Sequence, residues 1–208
     1  MQRKHTAAIS RRRRNAILTF AVLLAIVLVF LDHSPIKHHW RPQPNDVQRY
    51  NAKTFTVVKV IDGDTLDVDI PDGRYRHTRI RLWGVDTPET KSQKYDIMYF
   101  GPQAGEFTTK MTLGKNVTLY LNQKKRTRGK YGRLLAYVKL PDGRFLNELL
   151  LTEGFAYADL RFHHSLYNKY KGLQTVARQQ KKGLWLQVTR DQLPQWLQRK
   201  QPNLLSKK

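Results

Sequence analysis

The stretch Val60-Ile61-Asp62-Gly63-Asp64-Thr65-Leu66-Asp67 sets carboxylates beside a tight turn, between two runs that read as strands. Asp62-Gly63 is a hairpin signal and Asp64 sits just past it, so a carboxylate projects from the mouth of a sheet. A second acidic group, Asp86-Thr87-Pro88-Glu89, follows the next strand pattern, and an arginine, Arg81, lies inside that strand. Later comes Lys130-Tyr131-Gly132-Arg133. Two separated carboxylate clusters and two arginines, in a chain of net charge +22, are what metal-assisted attack on a phosphodiester needs.

The need is electrostatic. A phosphodiester repels nucleophiles by its own charge, and its five-coordinate transition state gathers more charge on the non-bridging oxygens. A guanidinium meets that charge with two parallel donors and stays protonated, which lysine does not match geometrically. Arg81 on a strand and Arg133 at a strand start can approach one phosphate from different sides. Aspartates offer hard oxygen donors, and the residue types alone admit Ca2+ or Mg2+. Glu89, placed after Pro88, suits the holding of a water for in-line attack. Blander readings stand beside these. Asp62 can serve its turn alone, Arg81 can be a structural ion-pair partner, and Arg133 can belong to the basic loop Lys124–Lys130, whose Lys124, Lys125, Arg126 and Arg128 read as a solvated, phosphate-attracting face.

These residues need a scaffold, and 208 residues with 40% apolar content suffice for one domain with extensions. The charge divides as +7 over residues 1–50, +11 over 51–185 and +4 over 186–208, so the domain itself is basic and suited to polyanions. The absence of cysteine excludes disulfides, thiolate metal sites and thiol nucleophiles. Arg11–Arg14 precede an uncharged apolar run over 16–31, at the short end of what spans a hydrocarbon core of about 30 Å. No small-residue cleavage site follows, which favours an uncleaved transmembrane anchor. The basic residues before it place segment 1–15 in the cytoplasm and the domain outside, in a bacterial envelope or at a mitochondrial membrane. Residues 32–52, with Pro35, Pro42 and Pro44, read as a linker in which His33, His38 and His39 are incidental.

The domain is expected over 53–186. Phe55–Ile61, Leu66–Ile70 and the longer Arg74–Val85 read as an antiparallel meander. Phe100, Ala104, Phe107 and Met111 recur at helical spacing until Gly114. Strands at Asn116–Leu121 and Leu134–Leu140 follow, then a short helix over Phe145–Thr152 and a longer one marked by Leu166, Tyr170, Leu173 and Ala177. His163-His164, between elements, suit capping of that last helix, and Tyr170 reads as core. Five strands with a helix after the third imply an α+β fold, a Greek-key barrel of the OB type with three packed helices. Residues 187–208 form a basic tail whose Leu193, Trp196 and Leu197 have no assigned role.

Asp62-Gly63-Asp64-Thr65, Arg81 with Asp86-Thr87-Pro88-Glu89-Thr90, Tyr99-Phe100-Gly101-Pro102-Gln103-Ala104 and Lys130-Tyr131-Gly132-Arg133 resemble, in order, the motifs of the staphylococcal nuclease (thermonuclease) family, over about Phe55 to Trp185. The resemblance implies a five-stranded OB barrel with three helices and a Ca2+-dependent phosphodiesterase cutting DNA and RNA. It implies Asp64 and Asp86 as calcium carboxylates, Thr87 as a calcium-binding carbonyl, and Glu89 as the group that orients or deprotonates the attacking water. Arg81 and Arg133 match the arginines on the scissile phosphate, and Lys130 and Tyr131 match groups on a nucleotide phosphate. Two places depart from the pattern. Trp83-Gly84 replaces an aliphatic pair, and Leu160–His164 does not match the tyrosines that flank the family's bound nucleotide. The competing expectations are a catalytically silent OB domain that binds single-stranded nucleic acid, and an envelope-tethered binder of anionic polymer.

Overall fold

The computed structural model describes residues 46–90, 97–122 and 126–205, together with positions 15, 16, 19, 20 and 22. The chain divides into two compact units, Met1–Trp40 and Arg41–Lys208. In the first, Asn15, Ala16, Thr19, Phe20 and Val22 are helical. Most of the apolar run 16–31, and His33, His38 and His39, lie outside the described residues. Among the described residues no helix is long and apolar enough to cross a membrane.

In the second unit, alternating β-branched runs become β1 (Lys53–Asp62), β2 (Thr65–Val68), β3 (Thr78–Leu82), β5 (Asn116–Tyr120) and β6 (Leu134–Lys139), which close a barrel in the order β1-β2-β3-β6-β5. The closing contact is the parallel pair β3–β6, with Arg81 opposite Leu135. Closure leaves no free sheet edge, and the inward positions Val57, Leu66, Ile80, Leu119, Leu134 and Val138 are fully buried. Each such side chain contributes on the order of 2 kcal/mol of apolar burial. Helices α2 (Gly101–Thr112), α3 (Leu146–Thr152) and α4 (Tyr167–Gln179) are the three expected, flanked by the short α1 (Asp46–Tyr50) and α5 (Gln195–Lys200). Asn147 on α3 is fully buried and satisfied: its amide donates to the Trp83 carbonyl and its oxygen accepts the Val138 N–H, so it ties helix to barrel.

The expected third strand, Arg74–Val85, is interrupted. After Leu82 the chain turns at Gly84, whose φ of 78° lies in the left-handed region, and leaves the barrel as β4 (Val85–Asp86) to pair with β7 (Tyr157–Ala158). This accounts for Gly84 in the Trp83-Gly84 departure, because a Cβ there would also meet the His164 ring at 2.4 Å.

The linker expected over 32–52 stops short of its end. Asp46–Tyr50 is helical, Tyr50 is fully buried, and its hydroxyl meets that of Thr78 at 3.1 Å. The tail expected over 187–208 is folded as far as residue 205: Leu193 and Leu197 are buried in a second apolar cluster with Tyr157, Ala177 and Trp185. Arg178 on α4 also donates to the Leu204 carbonyl.

Arg128 is not part of a solvated face. Its guanidinium pairs with Asp46 at 2.8 Å and Asp72 at 2.6 Å, and donates to the Gly132 carbonyl at 3.0 Å. Burial disfavours its charge, but the two carboxylates outweigh this and hold its pKa above the ordinary value. One side chain thus fastens α1 and the Pro71–Arg74 turn to the loop that carries Lys130, Tyr131 and Arg133. Arg128→Ala leaves Asp46 buried without its cation and is expected to lower unfolding free energy by about 3 kcal/mol. Urea denaturation measures this, and a loss under about 1 kcal/mol would refute the assigned role.

Candidate active site

Asp62, Gly63 and Asp64 form the turn between β1 and β2, beside a register shift between Val60 and Asp62. Such irregularities re-aim side chains at a barrel rim. The Asp62 carboxylate accepts the Asp64 N–H at 3.1 Å and also faces the site cavity, so it has both its turn role and a place in the site. Gly63 has no room for a side chain: an added Cβ would meet Thr87 and Ala104 within 2.9 Å. Its carbonyl accepts the Thr108 hydroxyl at 2.6 Å, which seats the turn on α2.

Asp64 is 3% exposed and accepts the Thr87 N–H at 2.9 Å and the Thr65 hydroxyl at 3.0 Å. Arg81 on β3, paired across to Thr65, reaches between the two acidic groups. Its guanidinium bonds the Asp64 carboxylate, and its Nη2 lies 2.5 Å from Asp86 Oδ1. Glu89 is placed by its backbone, whose carbonyl accepts the Met98 N–H at 3.0 Å. Gly101, at the start of α2, packs so closely on that carbonyl that a Cβ would lie 2.3 Å from it. Burial raises the Glu89 pKa, and the Asp62 and Asp86 charges raise it further against Arg81 and Arg133. Arg133 donates to the Thr65 hydroxyl at 3.4 Å and lies 5.6 Å from the Tyr131 ring centre. Burial and the neighbouring Arg81 lower its pKa. Lys130 lies over the same ring, and Tyr131 itself is 70% exposed.

Asp64, Arg81, Asp86, Glu89, Lys130, Tyr131 and Arg133 therefore line one cavity of about 400 Å³, while Thr87 sits behind Asp64. Arg81 is an ion-pair partner of both acids and also lines the cavity. Among the described residues no three His, Cys, Asp or Glu side chains cluster as a metal site. The donors nonetheless fit a hard cation. Asp64 and Asp86 already share one cation, the Arg81 guanidinium, so they can flank an ion that takes its other oxygens from a carbonyl and water.

A family described as staphylococcal nuclease homologue matches residues 79–187. A thermonuclease of Staphylococcus hyicus is 33% identical over 171 residues, covering 81% of this chain and 94% of that protein. The chain belongs to the staphylococcal nuclease family. Other relatives are a thermonuclease of Staphylococcus intermedius, 38% identical over 68% of this chain and 80% of its own, and an uncharacterised endonuclease of Escherichia coli O157:H7, 35% identical over 69% and 82%.

Other residues at the site of this family member were not foreseen. Arg161 is held by Asp159 at 2.8 Å and reaches Asp86 Oδ1 at 2.9 Å. Trp196 donates its indole N–H to Asp86 Oδ2 at 2.7 Å. Phe162, 48% exposed, carries Arg126 over its ring at 5.1 Å. The spacing of Leu193, Trp196 and Leu197, three and four residues apart, was a helical signal that could have found the second of these.

His164 is buried against Gly84, and its Nδ1 lies 3.0 Å from the Tyr137 hydroxyl and 3.3 Å from the Leu166 N–H. It joins β6 to the residue before α4 and does not cap that helix as expected, because Leu166 is itself the N-cap. Burial lowers its pKa from 6.5 to about 4, with Asp159 opposing and His163 assisting. The folded protein therefore keeps this ring neutral while the unfolded chain protonates it below about 6.5, so its stabilising contribution is full above that pH and is lost as pH falls towards 4. His164→Gln is expected to reduce the loss of stability between pH 7 and pH 5 by about 1 kcal/mol, read as urea midpoints at the two pH values.

Proposed function

We propose that this chain is a calcium-dependent endonuclease that hydrolyses DNA and RNA. What carries the reading is the convergence of two guanidinium groups, Arg81 and Arg133, with Asp64, Asp86 and Glu89 on one cavity. Five carboxylates and five cationic side chains line that cavity, so their charges cancel, and a divalent ion would tip it positive before a phosphate enters.

Asp64, Asp86 and the Thr87 carbonyl would hold Ca2+, which when bound supplies positive charge at a non-bridging phosphate oxygen. Arg81, relieved of neutralising the two acids, turns with Arg133 to the scissile phosphate, where both meet the charge gained in the transition state. Glu89 takes a proton from the water whose oxygen attacks phosphorus in line. Its raised pKa makes it the stronger base for that step. As the P–O5′ bond breaks, the 5′-oxygen takes a proton from solvent water, leaving a 3′-phosphate, and Glu89 returns its proton to solvent. Lys130 and Tyr131 contact a neighbouring phosphate. Arg11–Arg14 and the apolar run 16–31 support a single-pass anchor with the nuclease domain on the extracytoplasmic side.

The purified chain in detergent, incubated with plasmid and with RNA, should cut both with Ca2+ and neither with chelator. Glu89→Gln is expected to lower the cutting rate by about 10²–10⁴-fold with folding unchanged. DNA that is retarded but intact under every condition would leave a binding domain in place of an enzyme.

A further inference from the structure

One carboxylate of the cavity is gripped by a segment that lies beyond the family match at residues 79–187. Asp86 Oδ2 accepts the Trp196 indole N–H at 2.7 Å, while Oδ1 receives Arg81 at 2.5 Å and Arg161 at 2.9 Å. The two oxygens thus have different partners: a neutral donor on one, cations on the other.

This is not a loose contact of a tail. Leu193 and Leu197, on either side of Trp196, are 3% and 0% exposed and pack in the same apolar cluster as Tyr157. Tyr157 is the residue paired with Asp86 across the β4–β7 ribbon. One core therefore fixes both the backbone that carries the carboxylate and the helix that carries the indole. Arg161, itself held by Asp159, lies 4.6 Å from the centre of the Trp196 ring and restrains its swing. An indole has one donor and no acceptor, so it can fix Oδ2 without bringing a charge that competes with a metal.

We propose that Trp196 is a positioning residue for Asp86, holding Oδ2 so that Oδ1 is the oxygen presented to a divalent cation, and that residues 187–205 are therefore part of the site. The proposal rests on the reading that Asp86 is a ligand of that cation. Groups that orient a ligand in this way typically change metal affinity by 10–100-fold when removed.

Calorimetric titration of the full-length protein with Ca2+, without nucleic acid, separates the two claims. Wild type should bind, and Asp86→Asn should lose binding. Trp196→Phe, which keeps the ring and drops the N–H, should raise the Kd about tenfold with an unchanged unfolding midpoint in the absence of Ca2+. Trp196→His, which offers a ring N–H again, should recover part of the affinity. An unchanged Kd in the Phe variant overturns the positioning role and leaves the metal reading intact. A Kd that rises only with loss of folding in both Trp196 variants overturns it as well, and a wild type that binds no Ca2+ overturns both claims.

Discussion

Asp64 and Asp86 stand side by side at the barrel rim because a guanidinium lies between them. Two carboxylates that flank one guanidinium repel each other, so without an intervening cation they would turn apart or take up a proton. Arg81 supplies that cation from β3, the strand that the barrel closes on both sides, with Thr65 across one edge and Leu135 across the other. Barrel closure and the order of the site are therefore one constraint. A change that loosened the β3–β6 pairing would move Arg81 and, with it, both acids.

The same constraint orders the surroundings. Asp64 is fixed by Gly63, which only a residue without a side chain can be where Thr87 and Ala104 press so closely. Glu89 is fixed because Gly101 lets α2 abut its backbone. Arg133 depends on Arg128, which ties its loop to Asp46 and Asp72, neither of which lines the cavity. Several charged residues here have structural duties whose removal would register as lost activity. Stability measurements are what separate a positioning residue from one that touches substrate.

The local part of this was legible in the sequence. Asp62-Gly63 announced its turn, alternation announced the strands, and helical spacing from Ala104 to Met111 announced α2, because each depends on neighbours a few residues apart. The candidate site residues were legible by type: an arginine on a strand and carboxylates next to turns. Long-range pairing was not. Arg128 looked like one more member of a basic run, and nothing near it announced Asp46, 82 residues away. Asp86 and Trp196 are separated by 110 residues. The Arg74–Val85 pattern ran on through Gly84 because period-two alternation does not register that β4 leaves the barrel for β7.

The central claim is that Asp64 and Asp86 share a metal while Arg81 and Arg133 share a phosphate. A crystal structure with Ca2+ and a dinucleotide bearing a non-cleavable phosphonate linkage tests it most directly. The account requires oxygens of Asp64, Asp86 and Thr87 within about 2.3–2.6 Å of the ion, with both guanidinium groups on the phosphonate and Glu89 facing it across a water. An ion bound elsewhere, or Arg81 still bridging the two aspartates with the phosphonate outside the cavity, would contradict it.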